Sequence, residues 1–352
     1  MYKTFLISVA LLFPIGLLLL PQARSQHTTR NAQNAVYRYE DYRGIQTTLS
    51  TWARESKGLA SVFTYGTSTR GQPLTGIALK GKNKFKSSVL IQASIHGNEP
   101  LSSTVIMSYL QNLLSGYGKD KELTELIDSR DIYIIPVLCP DSFPHSRYSD
   151  GVDPNRNFNG NSVTAIAAIK KFFLEKKPSA CWSGHTYGRL FMYPYGDATQ
   201  RCVDDGKMLD LYTRMSRLAG YRVLRGCQMY GHPIMGSEID YYYRQNRSVS
   251  VVVEYGSHQR IPSLQDTQIE FNKTWGAFLL WLKEAPVMLK ESPAQDILNK
   301  RRQVYQRMTW SRAPSCDESY AIDSKREEDY SSKEDEGRPD RLGCEVNVHG
   351  SF

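Results

Sequence analysis

The stretch SVLIQASIHGNEPLSSTVIMSYLQNLL, Ser88 to Leu114, decides how this chain is read. Its apolar run from Val89 to Ile95 has the character of a buried strand. The run stops at a histidine, a glycine, an asparagine and a glutamate, and apolar residues then recur at helical spacing from Val105 to Leu114. A buried strand feeding straight into a helix is half of a β-α-β unit.

The same alternation extends in both directions. YEDYRGIQTTLSTWARES reads as an amphipathic helix, followed by ASVFTYG and LTGIALKG as two strands around a turn. Downstream, DIYIIPVLC is a second buried strand, SVTAIAAIKKFFLEKK a helix, SACWSG a strand, and DDGKMLDLYTRMSRLAG a helix closed by Gly220. SVSVVV is a further strand and DTQIEFNKTWGAFLLWLKEA a closing helix. The expected class is α/β, a mixed and mostly parallel central sheet with helices on both faces. In such sheets sites form at the carboxyl ends of the strands. His96, Asp141, His185 and Glu254 each fall at or just after such an end.

Those residue types suit a metal. His96 and Glu99 can grip one ion from the strand edge and the incoming helix, since imidazole nitrogen and carboxylate oxygen both suit Zn²⁺. The plainer reading is that Glu99 only favours the helix's first turn. A third ligand should come from another strand end, and His185 in SGHTYGRLFMYPYG supplies it; its plainer reading is a hydrogen-bonded histidine at a sheet edge. In GVDPNRNF, Asn155 and Arg156 have the donors to hold a carboxylate, and Asp153 could take the spare N–H of a metal-bound histidine, although the composition also suits a solvated turn. Glu254 ends SVSVVVEYG, where a carboxylate is costly unless partnered or functional; beside a metal it suits a general base.

Taken in order, YGTSTRGQPL, HGNEP, CPDSF, GVDPNRNF, HTYGRLFMYPYG, GSEIDYYY and VVVEYG resemble the blocks of the zinc metallocarboxypeptidases, the family that includes the pancreatic carboxypeptidases. The resemblance runs from about residue 36 to 286 and implies a peptidase holding one Zn²⁺ per chain on His96, Glu99 and His185. It implies that Asn155 and Arg156 hold the substrate's free terminal carboxylate, that Glu254 activates the attacking water, and that Arg147 steadies the oxyanion. Asp153 matches the partner of the first histidine and Tyr187 a tyrosine lining the cleft. Ile239, fifteen residues before Glu254, matches the floor of the specificity pocket, where an apolar side chain suits apolar or aromatic terminal residues. The flanking Glu238 and Asp240 would reverse that preference if the register slipped. The family's mobile capping tyrosine lies eight residues before the aspartate of this block, whereas Tyr230 lies ten before Asp240, a departure that weakens that one assignment. Related chemistries stay open: trimming of cell-wall peptides, as exported bacterial members of the family do, and N-acyl amino acid deacylation of the aspartoacylase kind. So does a catalytically dead fold used for binding.

The chain ends frame this domain. Lys3, the apolar run Phe5 to Leu20 and Gln22-Ala23-Arg24-Ser25 read as a signal peptide over 1–25 and an exported, periplasmic or secreted, protein; an uncleaved anchor is the other use of that run. Residues 317–341 hold ten acids and five bases among little apolar material, so 287–352 reads as a charged, poorly ordered extension. The formal charge of +8 falls to +6 without Lys3 and Arg24, and its scatter does not indicate nucleic acid binding. No stable membrane insertion is expected of the mature chain, and its oligomeric state is left open. An oxidising compartment permits bridges among the six cysteines, with Cys202–Cys227 and Cys316–Cys344 suggested by proximity alone.

Overall fold

In the computed structural model β3 (Ser87–Ala93) is the strand that its apolar run predicts, buried along nearly all its length. The structure describes residues 41–83, 86–229, 231–257 and 263–289. The signal-like segment, Tyr230, Cys316, Cys344 and all but the first three residues of the charged extension lie outside them.

Around β3 the chain runs α1 (Tyr42–Glu55), β1 (Ala60–Thr67), β2 (Pro73–Lys80), then α2 (Pro100–Gly116), α3 (Lys121–Asp128) and β4 (Arg130–Ile135). It continues through α4 (Thr164–Lys176), β5 (Ala180–Thr186), β6 (Leu190–Tyr193), α5 (Asp205–Ala219), β7 (Arg222–Arg225) and the single turn α6 (Gly226–Met229). It closes with α7 (Glu238–Asn246), β8 (Val249–Tyr255) and α8 (Leu264–Met288). One eight-stranded sheet has the order β1-β2-β4-β3-β5-β8-β6-β7. The central β4-β3-β5-β8 run is parallel, as is β6-β7, while β1-β2, β2-β4 and β6-β8 are antiparallel.

Local chemistry explains the element ends. The Asp41 carboxylate accepts the Gly44 N–H at 2.7 Å to start α1, and Asp120 accepts that of Leu123 at 3.0 Å to start α3. Ser263 and Asp266 cap α8 reciprocally, and Gly220 closes α5 in the left-handed region at φ 70°.

Strand alternation sorts β5 between two cores. Trp182 packs with Phe278 and Trp281 of α8, each at 5.3 Å between ring centroids, and Tyr109 of α2 stacks on Phe278 at 4.3 Å. Such pairs each add about 1 kcal/mol beyond the area they bury. Cys181 joins the opposite core with Phe172 and Phe173 of α4 and Tyr242 of α7. By the same period of two, His185 leaves the sheet on the α7 side with Cys181. The short strands β6 and β7 and helices α3, α6 and α7 were not anticipated. Cys202 and Cys227, suggested above as a bridge, are instead free buried thiols, as are Cys139 and Cys181. Among the described residues no helix is long and apolar enough to cross a membrane.

Candidate metal and catalytic centre

The turn after β3 carries His96 and leads through Glu99 into α2, whose first residue, Pro100, has no N–H to leave unpaired. Gly97 allows the turn to lie against the Ser142–Phe143 backbone: a β-carbon there would stand 2.3 Å from the Ser142 carbonyl carbon. β5 brings His185 to the same place, and the three residues, all buried, offer ligand atoms within 4.8 Å of one another. His96 Nδ1 lies 2.9 Å from one Glu99 oxygen and His185 Nδ1 3.1 Å from the other. The second oxygen also accepts the Thr186 N–H at 3.2 Å.

The outer nitrogens are fixed by other carboxylates. His96 Nε2 lies 3.0 Å from Asp153 Oδ1, and His185 Nε2 lies 2.7 Å from Glu238 Oε1. Each ring therefore faces a carboxylate through both nitrogens, Glu99 at Nδ1 and a different acid at Nε2. Three carboxylates around two imidazoles call for positive charge, which protons on the rings or a metal ion on the Nδ1 side can supply. Burial would lower the proton affinity of His185, yet the charges of Glu99 and Glu238 raise its pKa well above the ordinary value. Burial likewise opposes ionisation of Glu99, and the two imidazoles overcome it, holding the carboxyl well below the usual range. Two imidazoles, one carboxylate and their outer carboxylate partners are the donor set of a three-ligand Zn²⁺ site, so these residues fit zinc.

Glu254 joins them from β8. It is buried, and its Oε2 has no hydrogen-bond partner among the described residues. Burial pushes its pKa up to about 7, Glu99 adds to the rise, and His185, His96 and Arg147 pull the other way. A buried, unpartnered carboxylate held near neutrality beside a metal-ligand cluster has the properties of a general base.

The segment 147–156 lines one side. Asp153 Oδ2 accepts from Arg147 Nε at 3.1 Å and Nη2 at 2.7 Å, so one carboxylate anchors both Arg147 and His96. Burial would raise the Asp153 pKa, but His96, Arg147 and Arg156 hold it far below the usual range. Asn155 is buried and its Oδ1 accepts the Glu238 N–H at 3.0 Å, which leaves the amide's N–H groups as its donors. Arg156 is exposed, with Nη1 on the Asn155 carbonyl at 3.0 Å. Gly236, at φ 74°, lies against the Arg156 backbone, where a β-carbon would come within 2.3 Å of its carbonyl oxygen.

Ile239 is buried with Leu190, Met192 and Val252 in a small apolar cluster that Leu224 and Met229 flank. Tyr187 is half-buried after His185, and Tyr230 lies outside the described residues. Asp141, expected at a strand end, lies six residues past the end of β4 and stays outside the cluster: it accepts from Ser68 at 2.7 Å and from the Arg70 N–H at 2.9 Å, pinning the β1–β2 loop. Glu238 was missed as a site residue. Its only signal in the sequence is a carboxylate beside Ile239, which marks it as a neighbour of the pocket floor rather than of a histidine.

A family model described as zinc carboxypeptidase matches residues 45–276. Mouse carboxypeptidase A4 is 23% identical over 241 residues, which are 53% of this chain and 57% of the mouse protein. The chain therefore spans a little over half the length of that relative. A carboxypeptidase A from Helicoverpa armigera superposes with a TM-score of 0.63 at 16% identity, over 72% of this chain and 75% of that one. Bovine thrombin-activatable fibrinolysis inhibitor, solved in complex with tick carboxypeptidase inhibitor, gives 0.62 at 17% identity, over 70% and 96%. At such identities the superpositions speak for the fold.

Proposed function

This chain belongs to the zinc carboxypeptidase family, and from that premise we propose that it is an exported metallocarboxypeptidase that removes single residues from the C-termini of peptides. One observation carries the reading: His96, Glu99 and His185 bring ligand atoms within 4.8 Å of one another, with buried Glu254 on the strand rung beside His185.

His96, Glu99 and His185 would hold Zn²⁺, which when bound supplies Lewis acidity that acidifies a water and polarises the scissile carbonyl. Arg156 and the N–H groups of Asn155 grip the terminal carboxylate and so restrict cleavage to chain ends. Glu254 removes a proton from the attacking water and delivers it to the leaving amine. Arg147, anchored on Asp153, is the cation assigned to the developing oxyanion.

The terminal residue is proposed to be apolar or aromatic. Both acids flanking Ile239 are already engaged, Glu238 by His185 and Gln92, Asp240 by the N–H groups of Gly196 and Asp197 at 2.9 Å each. Neither is available to a lysine or arginine side chain. Export rests on the apolar run and cleavage-like segment of residues 5–25, and the mature N-terminus of secreted protein tests it.

The test of function is a panel of peptides with free and amidated ends, with and without chelator. Release of single C-terminal residues, abolished by chelation and by amidation, is expected. Turnover confined to wall-derived peptides would redirect the substrate assignment, and hydrolysis of acetyl-aspartate alone would overturn the peptidase reading.

A further inference from the structure

Glu238 is fully buried at the first position of α7, yet no cation except its histidine partner contacts its carboxylate among the described residues. One oxygen faces His185 Nε2 at 2.7 Å. The other receives an N–H from Gln92 Nε2 at 2.5 Å, and Gln92 Oε1 in turn accepts the Tyr242 hydroxyl at 2.9 Å. Gln92 and Tyr242 are themselves buried. A relay of buried side chains thus runs from α7 through β3 and back to α7, ending on the outer nitrogen of one imidazole. A carboxylate buried at such depth persists only where its partners hold it.

We infer that Glu238 is a positioning residue of the metal centre, its carboxylate fixing hydrogen on His185 Nε2 so that Nδ1 presents its lone pair to the ion. The inference rests on His96, Glu99 and His185 being the ligands. Without that carboxylate the imidazole could take the other tautomer or turn over, and a neutral acceptor would make it a weaker electron donor. Each ligand imidazole then has its own carboxylate, Asp153 for His96 and Glu238 for His185. The Asp153 carboxylate is shared with Arg147, whereas among the described residues that of Glu238 is met by Gln92 and His185. Glu238 has a second role through its backbone, whose N–H fixes Asn155 at 3.0 Å. One residue therefore sets the geometry of the ion and of the group proposed to read the substrate's end.

The experiment measures Zn²⁺ affinity by competition with a chromophoric chelator, and the melting midpoint of the zinc-free form, for the parent chain and Glu238→Gln. The expected result is an affinity roughly 10- to 100-fold lower with a zinc-free midpoint within a few degrees of the parent. An affinity within twofold of the parent overturns the inference, whatever the midpoint does. If Glu238→Gln does not fold, Gln92→Met decides. It removes the donor behind the carboxylate without touching a ligand, so a several-fold loss supports the inference and an unchanged affinity overturns it. A parent that binds one Zn²⁺ but cleaves no peptide removes the proposed activity and leaves this comparison intact. A parent that binds no Zn²⁺ removes both.

Discussion

His185 and Glu254 are register partners on the parallel β5–β8 pair, so the proposed ligand and the proposed base leave the sheet side by side. Adjacent strands stand about 4.8 Å apart, and same-rung side chains point to the same face. The sheet itself sets the spacing between metal and base, and no loop has to close to bring them together.

Glu254→Gln keeps the size of the side chain and removes its basicity. Turnover is expected to fall by about two to four orders of magnitude while zinc content stays at one per chain. Steady-state rates beside metal analysis measure both, and full turnover in the variant would remove the mechanism.

The pH profile follows from the same residue. Burial pushes Glu254 up to about 7, and only its ionised form can accept a proton. kcat/KM is therefore expected to fall about tenfold per unit on the acid side. A bound cation favours the ionised form, so the limb of the zinc-loaded protein belongs at or below pH 7. The residual activity of Glu254→Gln should lack that limb; its survival there would assign it to another group.

Arg156→Ala tests recognition of the chain end. Charge-assisted bonds to a carboxylate contribute about 1.5–3 kcal/mol, so kcat/KM on free-carboxylate peptides should drop roughly 10- to 100-fold. Zinc affinity should not change. An equal loss in zinc affinity would make Arg156 part of the metal site instead.

Removing zinc should cost stability as well as activity. At a concentration 100 times its Kd, a ligand stabilises the folded state by about 2.7 kcal/mol. For a domain of this size that corresponds to a melting point roughly 5–10 °C lower after chelation. Calorimetry with and without chelator, followed by zinc readdition, measures it; a midpoint indifferent to chelation counts against a folded-state site.

Terminal-residue preference is expected to favour phenylalanine or leucine over lysine or arginine by at least about tenfold in kcat/KM, since an apolar floor at Ile239 desolvates a cation without pairing it. Matched peptides differing only in the last residue give the ratio. A preference for basic ends would mean that one of the flanking acids is reached after all.

The metal cluster was legible because its parts sit where an open α/β sheet puts them, at the ends of β3 and β5, and because each falls in a recognisable block. Glu238 was not, since its partner His185 lies 53 positions away and nothing local announces the contact. The strands β6 and β7 were missed for a different reason: four residues each is too short for any period to show. Proximity along the chain misled at Cys202 and Cys227. Cys202 is buried near Tyr243 and the Asp204 loop, while Cys227 sits in the α6 turn, and twenty-odd intervening residues are spent on α5 and β7 rather than on bringing the sulfurs together.

Gly236 sits eighty positions beyond Arg156 and has no side chain, yet it governs where that guanidinium can stand. Adding even one methyl group there would push on the backbone of the residue proposed to grip the substrate's end. Variation at this distant site would therefore disturb the proposed reading of chain ends with every polar group of the centre still in place.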